Sequence, residues 1–180
     1  MIYIYLAQGF EETEMIFPLD LIRRAGLDVK TVSVTKDDIV TGSHGIPVKC
    51  DCTISEVDTD DFDSVILPGG MPGSINLDNS PFVDEILTKI ANDGGRISAI
   101  CAAPLVLGRR NLLNNKRACC YPGFENELKG AIVSTDGVVT DGNITTARGM
   151  GVALDFALEL LTLYKDKATA DKIASSIIKE

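Results

Sequence analysis

A chain of 180 residues is the size of one ordinary domain, and 45% apolar against 24% charged residues supply a core with too little charge for disorder. The 17 basic and 26 acidic side chains leave a net charge of −9, which repels a phosphate backbone and provides few cations for counterion release, so nucleic-acid binding is disfavoured. Residues 1–7 are apolar but lack a basic flank and a small-residue cleavage site, and no apolar run reaches the roughly 20 residues of a membrane span. A soluble, cytoplasmic protein is expected, with residues 1–180 as one domain and no membrane partner.

The predicted elements alternate. Residues 1–7 form a short apolar, β-branched and aromatic run ending at Gln8-Gly9, the pattern of a buried parallel strand. Over residues 13–25, Met15, Ile16, Leu19, Leu21 and Ile22 recur near helical spacing, and Gly26 supplies the stop. Residues 28–34 predict a second strand, and the stretch to Ser55, broken by Gly42, Gly45 and Pro47, a further short strand or excursion. A strand at 64–67 enters Pro68-Gly69-Gly70, and a helix at 81–92 carries Phe82, Val83, Ile86, Leu87 and Ile90 on one face. Residues 96–100 predict the next strand, turning through Cys101-Ala102-Ala103 into a short apolar helix at 104–107. Brief strands follow at 131–133, 138–140 and 143–146, with Asp141-Gly142 as a hairpin turn between the last two. Helices at 152–164 and 165–178 complete an α/β fold, a mostly parallel sheet between helices.

In such sheets ligands bind beyond the carboxyl ends of the strands, which directs attention to Glu11, Glu12, Glu14, the Gly69-Gly70 turn and Cys101. A cysteine at a strand-to-helix elbow faces unpaired N–H groups and the positive end of the helix dipole, so Cys101 is expected to be the most acidic and most readily oxidised of the five thiols. The acids also suit a helix amino end whatever the function, and Gly69 and Gly70 either permit a tight turn or let amides approach an oxyanion. Arg148 before Gly149-Met150-Gly151 either offers a cation and amides to an anion or simply precedes a close helix packing. Cys50, Cys52, Cys119 and Cys120 have no C-x-x-C spacing and read as ordinary free thiols. His44, the only imidazole, reads as an exposed loop residue outside the site. No metal and no cofactor is expected.

The segments GFEETE (9–14), DLIRRAG (20–26), VILPGG (65–70), AICAAP (99–104) and ARGMG (147–151) together resemble the ThiJ/PfpI superfamily. The likeness is best to its small single-domain branch, which includes the Parkinsonism-associated deglycase and its bacterial relatives. The resemblance implies a flavodoxin-like, doubly wound domain of the class I glutamine amidotransferase type that pairs as a homodimer. It also implies a reactive cysteine, matched by Cys101, and a buried protonated glutamate, matched by Glu14, with Gly70 and Ala102 supplying oxyanion amides. A like charge nearby should raise the Glu14 pKa so that the pair holds one proton. Two departures matter: Tyr121 stands where many relatives carry a histidine, and Ala102 follows the cysteine where protease-like members carry one. A phenol is a poor general base at neutral pH, and without a Cys-His dyad a peptidase is disfavoured. The implied activity is glyoxalase- or deglycase-type chemistry on small carbonyls. The alternative is a redox-responsive protective or chaperone-like protein whose Cys101 becomes a sulfinate.

Overall fold

The computed structural model describes residues 1–59 and 62–179. In chain order its first half contains β1 (Ile2–Leu6), α1 (Glu12–Arg24), β2 (Val29–Ser33), β3 (Ile39–Thr41), β4 (Pro47–Lys49), β5 (Cys52–Thr53), β6 (Ser64–Leu67), α2 (Gly73–Asp78) and α3 (Pro81–Asp93). The second half contains β7 (Arg96–Ile100), α4 (Pro104–Arg109), β8 (Arg117–Ala118), β9 (Ile132–Val133), β10 (Val138–Asp141), β11 (Ile144–Ala147), α5 (Ala153–Tyr164) and α6 (Lys167–Ser176).

Every residue of β1 is buried, because alternate side chains enter two separate cores. Ile2, Ile4 and Leu6 pack with Ile66 and Ile100 against α1, α5 and α6. Tyr3 and Tyr5 pack with Val65, Leu67, Ile97 and Ala99 against α2, α3 and α4. A sheet covered on both faces requires such near-continuous apolar strands. The seven strands lie in the order β10-β11-β7-β6-β1-β2-β5, all parallel except β10, which pairs antiparallel with β11. Its five central strands run second, first, third, fourth, fifth in chain order, the flavodoxin-like arrangement, with the switch of direction between β1 and β6.

The expected α/β, flavodoxin-like class is therefore what the chain adopts, with local differences. The excursion after β2 is a two-stranded hairpin, β3 with β4, followed by β5 at the sheet edge. Asp141 pairs with Ile144, so the hairpin loop is Gly142-Asn143, one residue later than expected. The final helix does not begin at Lys165: Asp166 caps it, its Oδ1 accepting from the Thr169 amide at 2.6 Å. Helix α1 continues through Pro18. Helix α2 was not anticipated, being too short for a periodic signal; long-range ion pairs anchor its end, with Asp78 accepting from both Arg109 and Arg110 at 2.6 Å. Among the described residues no helix is long and apolar enough to cross a membrane.

Candidate active site

The switch between β1 and β6 opens a crevice beyond their carboxyl ends, and three loops converge there: residues 7–11 before α1, residues 68–72 after β6, and the turn that starts at Cys101 after β7. Cys101 has φ 64, a left-handed conformation uncommon for a residue with a side chain and a sign of backbone strain at a functional turn. Its backbone is held from two sides, N–H to the Ala147 carbonyl at 2.9 Å and C=O from the Tyr121 amide at 2.8 Å. These bonds fix an elbow from which the partly exposed thiol projects, whereas Cys50, Cys52, Cys119 and Cys120 are all buried.

Glu14 lies in the first turn of α1 and is fully buried. Its Oε2 accepts from the Gly69 amide at 2.9 Å, and its Oε1 is buried without a hydrogen-bond partner. The Glu14 carboxyl and the amides of Gly70 and Ala102 all act on the Cys101 thiol. Gly69 makes this convergence possible: a Cβ there would lie 2.5 Å from Cys101 Cβ and 2.6 Å from Glu14 Oε2.

Burial pushes Glu14 up to about 7, overcoming the Gly69 amide and the thiol, with the charge of Glu11 adding to the rise. The same surroundings overturn the expectation of an acidic Cys101. Burial and then the Glu14 carboxylate push the thiol up to about 12, against the pull of the Gly70 and Ala102 amides. A helix of six residues does not reverse that balance. Cys101 is thus set apart by access and by a partner for its proton rather than by a resting thiolate. The two groups titrate as a coupled pair, both raised by burial and the thiol further by the carboxylate charge.

A cavity of about 180 Å³ stands over the sulfur, lined by Gly70, Met71, Cys101, Ala102, Tyr121 and Phe124. The structure thereby brings together Cys101, Glu14, Gly69, Gly70, Ala102 and Tyr121, while Arg148 lies in an adjoining hollow that Tyr121 also lines. Met71 and Phe124 were not anticipated, since neither carries reactive chemistry that sequence would flag. His44 is an exposed loop residue as expected, yet it is tied to the acids beside the site. Its Nδ1 is 2.9 Å from Glu12 Oε2 and 3.5 Å from Glu11 Oε2, and its amide donates to Glu12 Oε1 at 2.8 Å. Burial would raise Glu12, but these bonds outweigh it and hold the carboxyl below its ordinary value, while Glu12 raises His44. Glu11, Glu12 and His44 are the donor cluster with metal-compatible spacing among the described residues, and their lone pairs are already engaged with one another and with Ser43.

The profile of the DJ-1/PfpI family matches residues 1–163. The chain belongs to this family. It is 34% identical over 177 residues to protein dj-1beta of Drosophila melanogaster, covering 97% of this chain and 95% of that one. Two Arabidopsis thaliana relatives, DJ-1 homologs B and A, are longer, and the chain spans 41% and 46% of them. Among solved structures, oxidized Toxoplasma gondii DJ-1 superposes with a TM-score of 0.94 at 34% identity, over 98% of this chain and 97% of that one. A cysteine-to-alanine mutant of a DJ-1 superfamily protein from Salmonella typhimurium gives 0.95 at 35% identity, over 99% and 98%. The family expected from the five sequence segments is therefore the one the comparisons show.

Proposed function

We propose that this DJ-1/PfpI family protein acts on small reactive carbonyls such as glyoxal or methylglyoxal, or on their early adducts with amines or thiols, in glyoxalase- or deglycase-type chemistry. The observation that carries this reading is the buried Glu14 carboxyl set against the one accessible thiol at the floor of a cavity large enough for a few heavy atoms. In the first step Sγ bonds to the aldehyde carbon, the C=O π pair moves onto oxygen facing the Gly70 and Ala102 amides, and the thiol proton passes to Glu14. Glu14 then returns the proton to oxygen, giving a hemithioacetal. With an α-oxoaldehyde, Glu14 next takes the C1 proton, leaving an enediolate, and returns it to C2 while the hydroxyl proton on O1 passes to the C2 oxygen; the resulting thioester is hydrolysed by water to a 2-hydroxy acid and the free thiol. One water is consumed, and no oxidant or reductant is needed.

Accessibility favours a second reading. Cys101 alone among the five thiols is open to peroxide, and a Toxoplasma gondii relative has been solved in oxidized form. Oxidation to a sulfinate beside protonated Glu14 would then be the response of a protective protein that needs no turnover. Steady-state methylglyoxal turnover by the wild type, Cys101→Ala and Tyr121→His separates the readings, with spontaneous adduct decay excluded. Cys101→Ala is expected at background, and Tyr121→His equal to the wild type or faster, since an imidazole is the better base. Full activity in Cys101→Ala overturns the assignment. Absent turnover, with two oxygens added at Cys101 alone under mild peroxide, supports the second reading.

The functional unit in this reading is a homodimer formed through α1. Ile16 and Phe17 on its outer face are 46% and 37% exposed, and Ile46, 51% exposed, belongs to the loop that packs on the start of α1. Light scattering at micromolar concentration is expected to give the mass of two copies and Phe17→Asp the mass of one. A single-copy mass for the wild type would remove the dimer from the proposal.

A further inference from the structure

Beside the cavity over Cys101 lies a second, more open hollow of about 520 Å³, whose lining includes Tyr121, Pro122, Thr135, Arg148, Gly149 and Met150. The two spaces share Tyr121. They also meet at Gly149, where a Cβ would lie 3.3 Å from Tyr121 Cδ2 and 3.9 Å from Cys101 Sγ. Only the Tyr121 ring and the Gly149 backbone separate the sulfur from the second space.

Arg148 gives the second space its chemistry. Its amide is pinned to the Gly137 carbonyl at 2.9 Å, and its guanidinium makes one long hydrogen bond, Nη1 to the Thr135 carbonyl at 3.4 Å. Arg23, Arg24, Arg109, Arg110 and Arg117 each pair with a carboxylate. Among the described residues no carboxylate pairs with Arg148, in a chain where acids outnumber bases 26 to 17. A guanidinium on a half-buried residue, with most of its five donors uncommitted, is a strong, planar recognition group for an oxyanion. The field of Arg148 reaches the Cys119 and Cys120 thiols, whereas burial, Glu14 and the two amides set that of Cys101. That placement suits reading the far end of a ligand rather than activating the sulfur.

We propose that Arg148 is a specificity residue and that the preferred ligands of Cys101 are short aldehydes or α-oxoaldehydes carrying a carboxylate at the opposite end. This inference deepens the proposed carbonyl chemistry and rests on it. The carbonyl carbon would bond to Sγ in the apolar space, with the thiol proton ending on the former carbonyl oxygen, while the carboxylate spans to the guanidinium.

The test is protection of Cys101 from iodoacetamide, followed by peptide mass spectrometry, with succinic semialdehyde and with its uncharged counterpart butanal. In the wild type succinic semialdehyde is expected to protect at about 10-fold lower concentration, the gain from one charge-assisted interaction. Arg148→Met is expected to make the two aldehydes protect alike, and Arg148→Lys to retain part of the preference, with unchanged thermal midpoints showing that both variants fold. A wild type that does not distinguish the aldehydes, or a preference that survives in Arg148→Met, overturns the inference while leaving methylglyoxal turnover to decide the proposed function separately. A preference that follows Arg148 in a protein without methylglyoxal turnover upholds the anion site and removes the turnover reading. Failure of both aldehydes to protect Cys101 also overturns the inference, and methylglyoxal turnover again decides the proposed function separately.

Discussion

Replacing Glu14 with Gln is expected to lower kcat/KM for methylglyoxal by about 10²–10³-fold and to remove the acid limb of its pH profile. The thiol is not ionised at neutral pH, since burial and Glu14 push it up to about 12, so sulfur can attack only as its proton leaves. Glu14 is the base placed to take that proton, and it is competent only when itself deprotonated. With its pKa raised to about 7, wild-type activity should climb as pH rises through neutrality and fall away below it. A glutamine can still accept from the Gly69 amide, so the loop that positions Cys101 keeps its anchor. It cannot accept the thiol proton. A pH-rate series from 5.5 to 8.5 on both proteins reads the effect. A flat wild-type profile, or a variant with half the wild-type rate, would remove Glu14 as the base.

The role of Glu14 also shows how far residues alone carry the site. Glu11, Glu12 and Glu14 are chemically equivalent in the sequence, and the likeness to a family, rather than spacing, singled out the third. The structure separates them by direction. Glu14 points into the loop after β6, Glu12 is buried beneath the His44 amide and ring, and Glu11 interacts with Ser43 and His44 nearby. The contact between Glu12 and His44 spans 32 positions and leaves no local pattern to read. The strands were legible because a sheet buried on both faces needs unbroken apolar runs, and the elbow because Ala102 and Ala103 leave room for a sharp turn. The acidity of Cys101 was misread because the helix-dipole argument is local, whereas burial comes from tertiary packing and the opposing carboxylate from a residue 87 positions away in the chain, 101 against 14.

Glu14→Gln is also expected to gain stability relative to the wild type as pH rises from 4.5 to 8, by about 3 kcal/mol in total. In the folded protein burial raises the carboxyl from its ordinary 4.5 to about 7. Between those values the folded state keeps a proton that the unfolded chain has already released. The contribution of Glu14 is thus fully present below the unfolded value and is lost as pH rises through the folded one, so this group lowers wild-type stability across neutrality. Glutamine has no proton to lose and escapes the decline, whatever constant offset its own packing introduces. Urea denaturation of both proteins at pH 4.5, 6 and 8 isolates the term, because the other titrating groups are common to the pair and cancel in the difference. A difference that stays constant with pH would mean that the buried carboxyl is not raised. The stability given up at neutral pH is then the consequence of holding a carboxylate in an apolar site, with Oε1 unpartnered, where it is basic enough to take a proton from the thiol.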